Sequence, residues 1–579
     1  MGNAGTVPRL DRTTMFQFVN NWTKGTGNHQ LRWDMDLRRN REDLLTLNQS
    51  TRGDFTFNQS TTGALGNPAS GLGAASFLLG ALGGYQQGVP FLFPAERVTR
   101  LSFYGGDVWK ATTKLTISYG LRWDYFEPVV PAHPGGDVNF NLDTGKLILA
   151  KLGNIDKYSG VRPRYNNFAP RVGVAYQLTQ NTVLRAGLGR TYFENGFDAV
   201  FNHLSSSYPI AQLIIVLPNN QYTPLFPLTQ GPPAPPAPAF PSNGILTPPA
   251  NDQIKAWPFD MPTPSLDSWN VTIERKLAKD LLVEAGYVGS KGTHVDYDYF
   301  NFNAAPPGPG DLVSRRPFYG KFGINGPIFL VCNCDDTEYN SLQVRVTKRF
   351  SSGYSINSGF TWAKAMDNQV GNRGGQPNNP YDRRASHGVS VLNRTLVWTM
   401  MHTFELPYGR GRHFGSNAPR IVDAVLGGWK FDGVTTVESG LAFSAGDSNG
   451  STLNADFGQR PDVVLGTPLY PTNQNRYLWF NPAHFATPPV CCVWGNAGAG
   501  TLRGPGLFTA DWALGKEFAF ATPLNREATR LEFRWEMFNA FNHANLALPN
   551  SDVNSSTAGQ IFNIQGPMRQ MQFVLHLRF

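Results

Sequence analysis

Charge is scarce in this 579-residue chain: Asp, Glu, Lys and Arg make up 16% of it, where soluble globular proteins average roughly 25%. Long hydrophobic runs are also missing. No stretch approaches the roughly 20 apolar residues that a membrane-crossing helix requires, which excludes a helical membrane protein although hydrophobic residues stand at an ordinary 41%. Cysteine is rare, with four residues in two close pairs, Cys332/Cys334 and Cys491/Cys492, so a disulfide-dense scaffold is ruled out. Neither pair has the Cys-x-x-Cys spacing of a zinc knuckle or thioredoxin-type site. Unlinked thiols, local pairing and a bridge between the two segments all stay open. The opening MGNAGTVPRLDRTTMFQFVN has no apolar core after a positive start, and so no visible signal peptide.

What the chain does hold points to strands and turns. Aromatics reach 13%, and 60 glycines and 43 prolines accompany them, a mixture that suits β-structure and suits helices poorly. The formal charge is +8, but Lys and Arg fall singly along strand-like segments. Nucleic-acid binding would need them clustered on one face, so none is expected.

About fifteen segments alternate apolar and polar residues, near 13–23, 29–42, 97–112, 114–127, 167–179, 182–194, 265–277, 281–294, 339–350, 354–366, 393–406, 429–444, 510–520, 528–542 and 568–579. In one, Leu531, Phe533, Trp535 and Met537 oppose Arg530, Glu532, Arg534 and Glu536. Four charges on one face cannot sit in a dry core. Most segments have the roughly 9–11 residues or slightly more with which a tilted strand crosses a bilayer. The connections alternate as well. Short turns at Lys24–Asn28, Thr112–Lys114, Gln180–Asn181, Ala278–Asp280, Ser351–Gly353 and Ala521–Glu527, with a longer link at Pro407–Gly428, interleave with long loops near 43–96, 128–166, 195–264, 295–338, 367–392, 445–509 and 543–567. That sorting describes a transmembrane antiparallel up-and-down β-barrel with periplasmic turns and outer loops. Ten of the thirteen Trp lie in the strand-like segments, among them Trp22, Trp109, Trp269, Trp429 and Trp512 near segment ends, as an interfacial girdle requires.

The expected fold is all-β, one barrel domain over 1–579 with about 15–16 strands. Counting back from Phe579 puts the N-terminus on the outside, whereas bacterial single-chain barrels hold an even number of strands. At least one upstream strand is therefore missing or misread, and the barrel is expected to be incomplete. The polar face predicts lumen-facing Arg122, Arg345, Arg530, Glu532, Arg534 and Glu536. In the Pro-rich outer loop at 223–263 and its approach, Tyr222, Phe226, Trp257 and Phe259 are candidate ligand contacts, because long loops on a rigid scaffold carry binding.

Other patterns carry less. GNAGAGTLRGPG at 495–506 fits neither dinucleotide nor P-loop spacing. Asp335, Asp336 and Glu338 form one short acidic run without the twelve-residue calcium-loop pattern. No H-E-x-x-H occurs, and no catalytic residue, metal or cofactor is expected.

The strand pairs resemble the barrel of the Oar-like TonB-dependent transporters. The phrases that carry the resemblance are NNFAPRVGVAYQLTQNTVLRAGLGRTYF (166–193), SLDSWNVTIERKLAKDLLVEAGYVGSKGTHV (265–295), YNSLQVRVTKRFSSGYSINSGFTWAKAMDN (339–368), ELPYGRGRHF (405–414), LGGWKFDGVTTVESGLAFS (426–444), GNAGAGTLRGPG (495–506) and RLEFRWEMFNAFNHANLALPN (530–550). The family is similar to other TonB-dependent transporters in having about 22 strands around a plugged lumen, a TonB-contacting segment and, in many members, a small regulatory-like β-sandwich. The plug, that segment and the sandwich have no counterpart visible here. Phe579, an aromatic end to an alternating strand, looks like the signal read by barrel-assembly machinery.

The resemblance implies residence in the outer membrane of a Gram-negative-type bacterium, contact with its lipid, a TonB partner, and transport of an unidentified bulky solute by a non-enzyme. The competing expectations are a barrel-anchored surface protein for binding or adhesion, and a truncated product without independent function.

Overall fold

The computed structural model describes residues 11–44, 52–194, 204–218, 220–226, 228–232, 237–368, 379–448, 460–488, 493–522 and 525–579. Fifteen long strands run through it in an antiparallel meander. They are β1 (Asp11–Thr26), β2 (His29–Leu44), β3 (Ala95–Lys110), β4 (Leu115–Phe126) and β5 (Asn167–Thr179). Next come β6 (Thr182–Tyr192), β7 (Ser265–Ala278), β8 (Leu281–Asn301), β9 (Ile328–Ser351) and β10 (Tyr354–Asp367). The last five are β11 (Leu396–Glu405), β12 (Trp429–Glu438), β13 (Leu507–Thr522), β14 (Asn525–Phe538) and β15 (Gln570–Arg578). Each pairs with the next, and three short strands bring the sheet to eighteen. Every alternating segment of the sequence lies on one of the fifteen.

Their faces are inverted relative to a water-soluble sheet. Cross-strand partners share a face, so the register traces one row of side chains from strand to strand. The row Tyr119, Val172, Leu188, Trp269 runs across β4 to β7, and Val271, Tyr287, Leu342, Trp362, Leu396 across β7 to β11. These apolar rows are open to the surroundings, with Leu188 and Trp362 each 58% exposed, and Phe573 of β15 is likewise 71% exposed. On the opposite face Asp124 is buried and accepts a hydrogen bond from Ser102 Oγ at 2.7 Å. Apolar outside and polar inside is the pattern of a sheet whose solvent is hydrocarbon.

The buried apolar cores lie in the long connections. Val138, Phe140, Leu147, Leu149, Ile210, Ile254, Phe318, Ile324 and Ile328 form one cluster, drawing together three long connections and the far end of β9. Phe443, Phe480, Phe485 and Leu502 form another within 439–506. A burial drive absent from the sheet is thus satisfied above it, by loops that all emerge at the same end of the meander.

The opposite end is closed by short turns. Ser352 and Gly353, between β9 and β10, both have positive φ, at 54° and 86°, the combination required by the primed two-residue hairpin turn. The link between β11 and β12 is longer and contains the helix Arg420–Leu426. Aromatic groups line this end: Trp22 stacks with Trp33, and His29 with Trp109.

Two boundaries differ most from expectation, while β12 stops at Glu438, short of the predicted 444. β8 and β9 continue to Asn301 and back from Ile328, beyond the predicted ends at 294 and 339, because their pairing persists through register shifts near Thr293 and Val295. The acidic run Asp335–Glu338 therefore sits on a strand. Cys332 and Cys334 form a local disulfide; Cys491 and Cys492 lie outside the described residues.

Candidate functional site

Two regions have functional chemistry: the polar face of the sheet and a pocket under the loops. On the polar face, Arg534 reaches Glu536 at 3.0 Å, Glu532 at 3.6 Å and Asp432 of β12 at 3.8 Å. Arg578 pairs with Glu532 at 3.1 Å, and Arg530 with Glu517 at 2.9 Å. Arg122 joins Asp124 at 2.8 Å and Asp34 at 3.6 Å, while Arg345 stands opposite Glu284 in register. All six predicted polar-face residues thus share one face, and five of them, Arg122, Arg530, Glu532, Arg534 and Glu536, make ion pairs across or along strands. Alternation at period two places them there. On the reverse side Trp535 stacks on Phe573 at 6.0 Å between centroids. Phe579 follows β15 and is 90% exposed.

The four loop aromatics separate into two pairs. Tyr222 Oη accepts from the Gly66 N–H at 3.0 Å, and the Phe226 ring meets Tyr85 edge-on at 5.9 Å. Trp257 is buried with Val161, Leu204, Met261 and Val331. Its backbone is held at both ends by the Asn139 side chain, at 2.9 and 3.0 Å. The Phe259 carbonyl accepts from Arg162 N–H at 2.8 Å, and its ring lies over Gly160. Any Cβ at Gly160, whose φ is +82°, would come within 2.9 Å of that ring.

Trp257 lines a pocket. About 590 Å³, counting its open mouth, is bounded by Val98, Phe126, Val129, Val161, Trp257 and Met261, with Glu127, Arg162, Arg164 and Glu194 adding charge. Burial opposes ionisation of Glu127, but hydrogen bonds from Lys157 and Thr99 outweigh it and hold its carboxyl below the usual range. Glu194 is pushed up by burial against the pull of Arg100. Arg164 is engaged by Asp260 at 2.6 Å. An apolar lining with a few fixed charges is the general form of a small-molecule site. Sequence reading missed most of this lining because it comes from five separate chain segments, brought together by contacts that no local pattern records.

Asp335 is fully buried with its charge met by Arg383 at 2.7 Å, and Glu338 lies 3.7 Å from Lys291, so two of the three acids in the run have basic partners. Among the described residues no group of His, Cys, Asp and Glu is arranged to hold a metal ion.

Residues 1–572 match the family described as outer membrane beta barrel domain. The chain belongs to that family. The inverted faces and the loop sorting are what this outer membrane beta barrel membership requires. Among solved structures the chain is similar to the outer membrane transporter YddB from Escherichia coli, with 11% identity and a TM-score of 0.49, covering 98% of this chain and 54% of that one. It is likewise similar to the ferric-catecholate import receptor Fiu from K12 E. coli, at 11% identity and TM-score 0.42 over 98% and 55% of the two chains. A third is the ferric yersiniabactin uptake receptor FyuA from Yersinia pestis, at 8% identity and TM-score 0.41 over 96% and 53%. The chain spans about half the length of these structures. No curated protein matches it.

Proposed function

We propose that this outer-membrane β-barrel chain forms the greater part of the wall of a TonB-dependent, Oar-like transporter for a bulky solute. Arg122, Arg345, Arg530, Glu532, Arg534 and Glu536 would face the lumen, and the outer loops would capture the ligand. The observation that carries the reading is the two-faced sheet: a continuous apolar outer face, a network of charged pairs on the other, and a loop assembly with its own core and pocket at one end. Mixed charges paired across strands give a polar lumen wall against which a plug or water can hydrogen-bond.

Closure follows from strand direction. In an antiparallel meander of fifteen, β1 and β15 run the same way, and no pairing joins them among the described residues. Strands in lipid leave no open edge, so an antiparallel closure takes an odd number of further strands, and a family total of about 22 supplies seven. The TonB contact and the plug would lie with those strands, and Phe579 would present β15 to the assembly machinery.

Planar-bilayer recording on the full chain tests the reading. Insertion accompanied by ion conductance supports a wide aqueous lumen; verified insertion with a silent membrane overturns it.

A further inference from the structure

The link between β11 and β12 does not behave like a turn. Its helix Arg420–Leu426 is laid against the outward, apolar face of the sheet. Lys516 is on that face, sharing it with Trp429 and Phe533 through the register of β12, β13 and β14. Its ammonium donates to the carbonyls of Asp423 at 3.2 Å and Ala424 at 2.6 Å, and lies over the Phe518 ring at 5.1 Å. Trp429 Nε1 donates to the Val425 carbonyl at 2.8 Å, and the Arg410 N–H to Asp423 Oδ1 at 2.7 Å. The Lys516 and Trp429 bonds fasten the link to the part of the molecule that faces lipid, and the Arg410 bond braces the link internally. A cation near carbonyls at a helix C-terminus is also favourably placed.

The side turned away from the sheet is apolar. Ile421 is 80% exposed, Val425 61% and Leu426 52%, and Phe414 adds a ring at 57%. Arg410, Arg412 and Arg420 are exposed beside them. Arg412 is held by Glu405 at 2.7 Å, whereas Arg410 and Arg420 make no ion pair among the described residues. Free apolar side chains continuous with a lipid-facing band, next to unpaired arginines, match the requirements of an element seated at a headgroup boundary.

We infer that residues 406–428 form an interfacial anchor that seats Ile421, Val425 and Leu426 among acyl chains and binds anionic phospholipid headgroups through Arg410 and Arg420. The inference rests on the reading that the short-turn end faces the periplasmic leaflet, where the lipid is phospholipid.

Native mass spectrometry of the full chain, released from detergent doped with phosphatidylglycerol, phosphatidylcholine or lipid A, tests it. The wild type is expected to retain phosphatidylglycerol in preference to the other two. Each arginine near an anionic surface contributes roughly fivefold, so Arg410→Gln/Arg420→Gln should weaken that retention about 25-fold. Both side chains are exposed and unpaired, and unchanged heat-modifiable migration verifies that the double variant folds. Undiminished retention in the folded variant, or equal retention of phosphatidylcholine, overturns the anchor. Preference for lipid A that the variant abolishes would instead place the link in the outer leaflet, overturning the orientation and the phospholipid assignment together.

Discussion

A single arginine moved by one residue along β9 should separate the two faces of the sheet energetically. Leu342, Val344 and Val346 lie on its outward face, bracketed by Asn340 above and Lys348 below on that same face. Lys348 pairs with Asp280 and sits over the Tyr354 ring at 4.5 Å, as a snorkelling interfacial lysine does. Eight residues at about 3.3 Å each, tilted by about 40°, give roughly 20 Å between those polar brackets, so Val344 stands near the middle of the hydrocarbon. Val344→Arg should cost about 2–4 kcal/mol, as arginine does at the midplane on a lipid face. Gln343→Arg, one residue away but turned to the polar face between Gly286 and Thr361, should cost under about 1 kcal/mol. Urea titration of both variants in lipid vesicles, read by heat-modifiable migration, measures the difference. Equal costs would refute the assignment of faces, as would a larger cost at position 343.

Three further outcomes follow from the same geometry. Asp137 is buried in the loop core with Oδ1 unpartnered among the described residues, and burial raises its pKa to about 7 despite Lys151; its folded form holds a proton that the unfolded chain loses near pH 4. Loop-core stability should therefore fall as pH rises from about 4 to 7, seen as faster hydrogen exchange in 138–149, and Asp137→Asn should flatten the profile. For the ion pairs of the polar face, a double-mutant cycle on Arg534 and Asp432, 3.8 Å apart, should return a coupling of about 0.5–1 kcal/mol that shrinks with salt; a coupling of several kcal/mol would mean a dry environment. Removing Phe579 should leave the stability of refolded protein within about 0.5 kcal/mol while slowing assembly in cells, and normal assembly would sink its role as a recognition signal.

The strands were legible because two-residue alternation is written directly into side-chain type. Arg530 to Glu536 could occupy one face only, and the hairpin at Ser352–Gly353 announces its turn. The loops were not legible in the same way. Trp257, Phe259, Tyr222 and Phe226 all read as candidate contacts on a proline-rich tether, yet Trp257 is packed beneath it and its pocket partners Val98, Val129 and Val161 come from other segments. Loop cores form by contacts distant in sequence, and no local period records them. The extension of β8 and β9 was hidden for a related reason: irregular register near Thr293 and Val295 breaks the alternation that marks a strand. The anchor helix escaped notice because Ile421, Val425 and Leu426 span barely two turns.

The most direct test of a lipid-facing sheet is a nitroxide scan of β15, one label at a time from Gln570 to Arg578 in a variant with all four cysteines replaced by serine, in reconstituted bilayers. Met571, Phe573, Leu575 and Leu577 should be accessible to oxygen and shielded from a water-soluble nickel complex, with the reverse at Gln572, Val574, His576 and Arg578. Two accessibility profiles that rise and fall together along the strand would contradict the account.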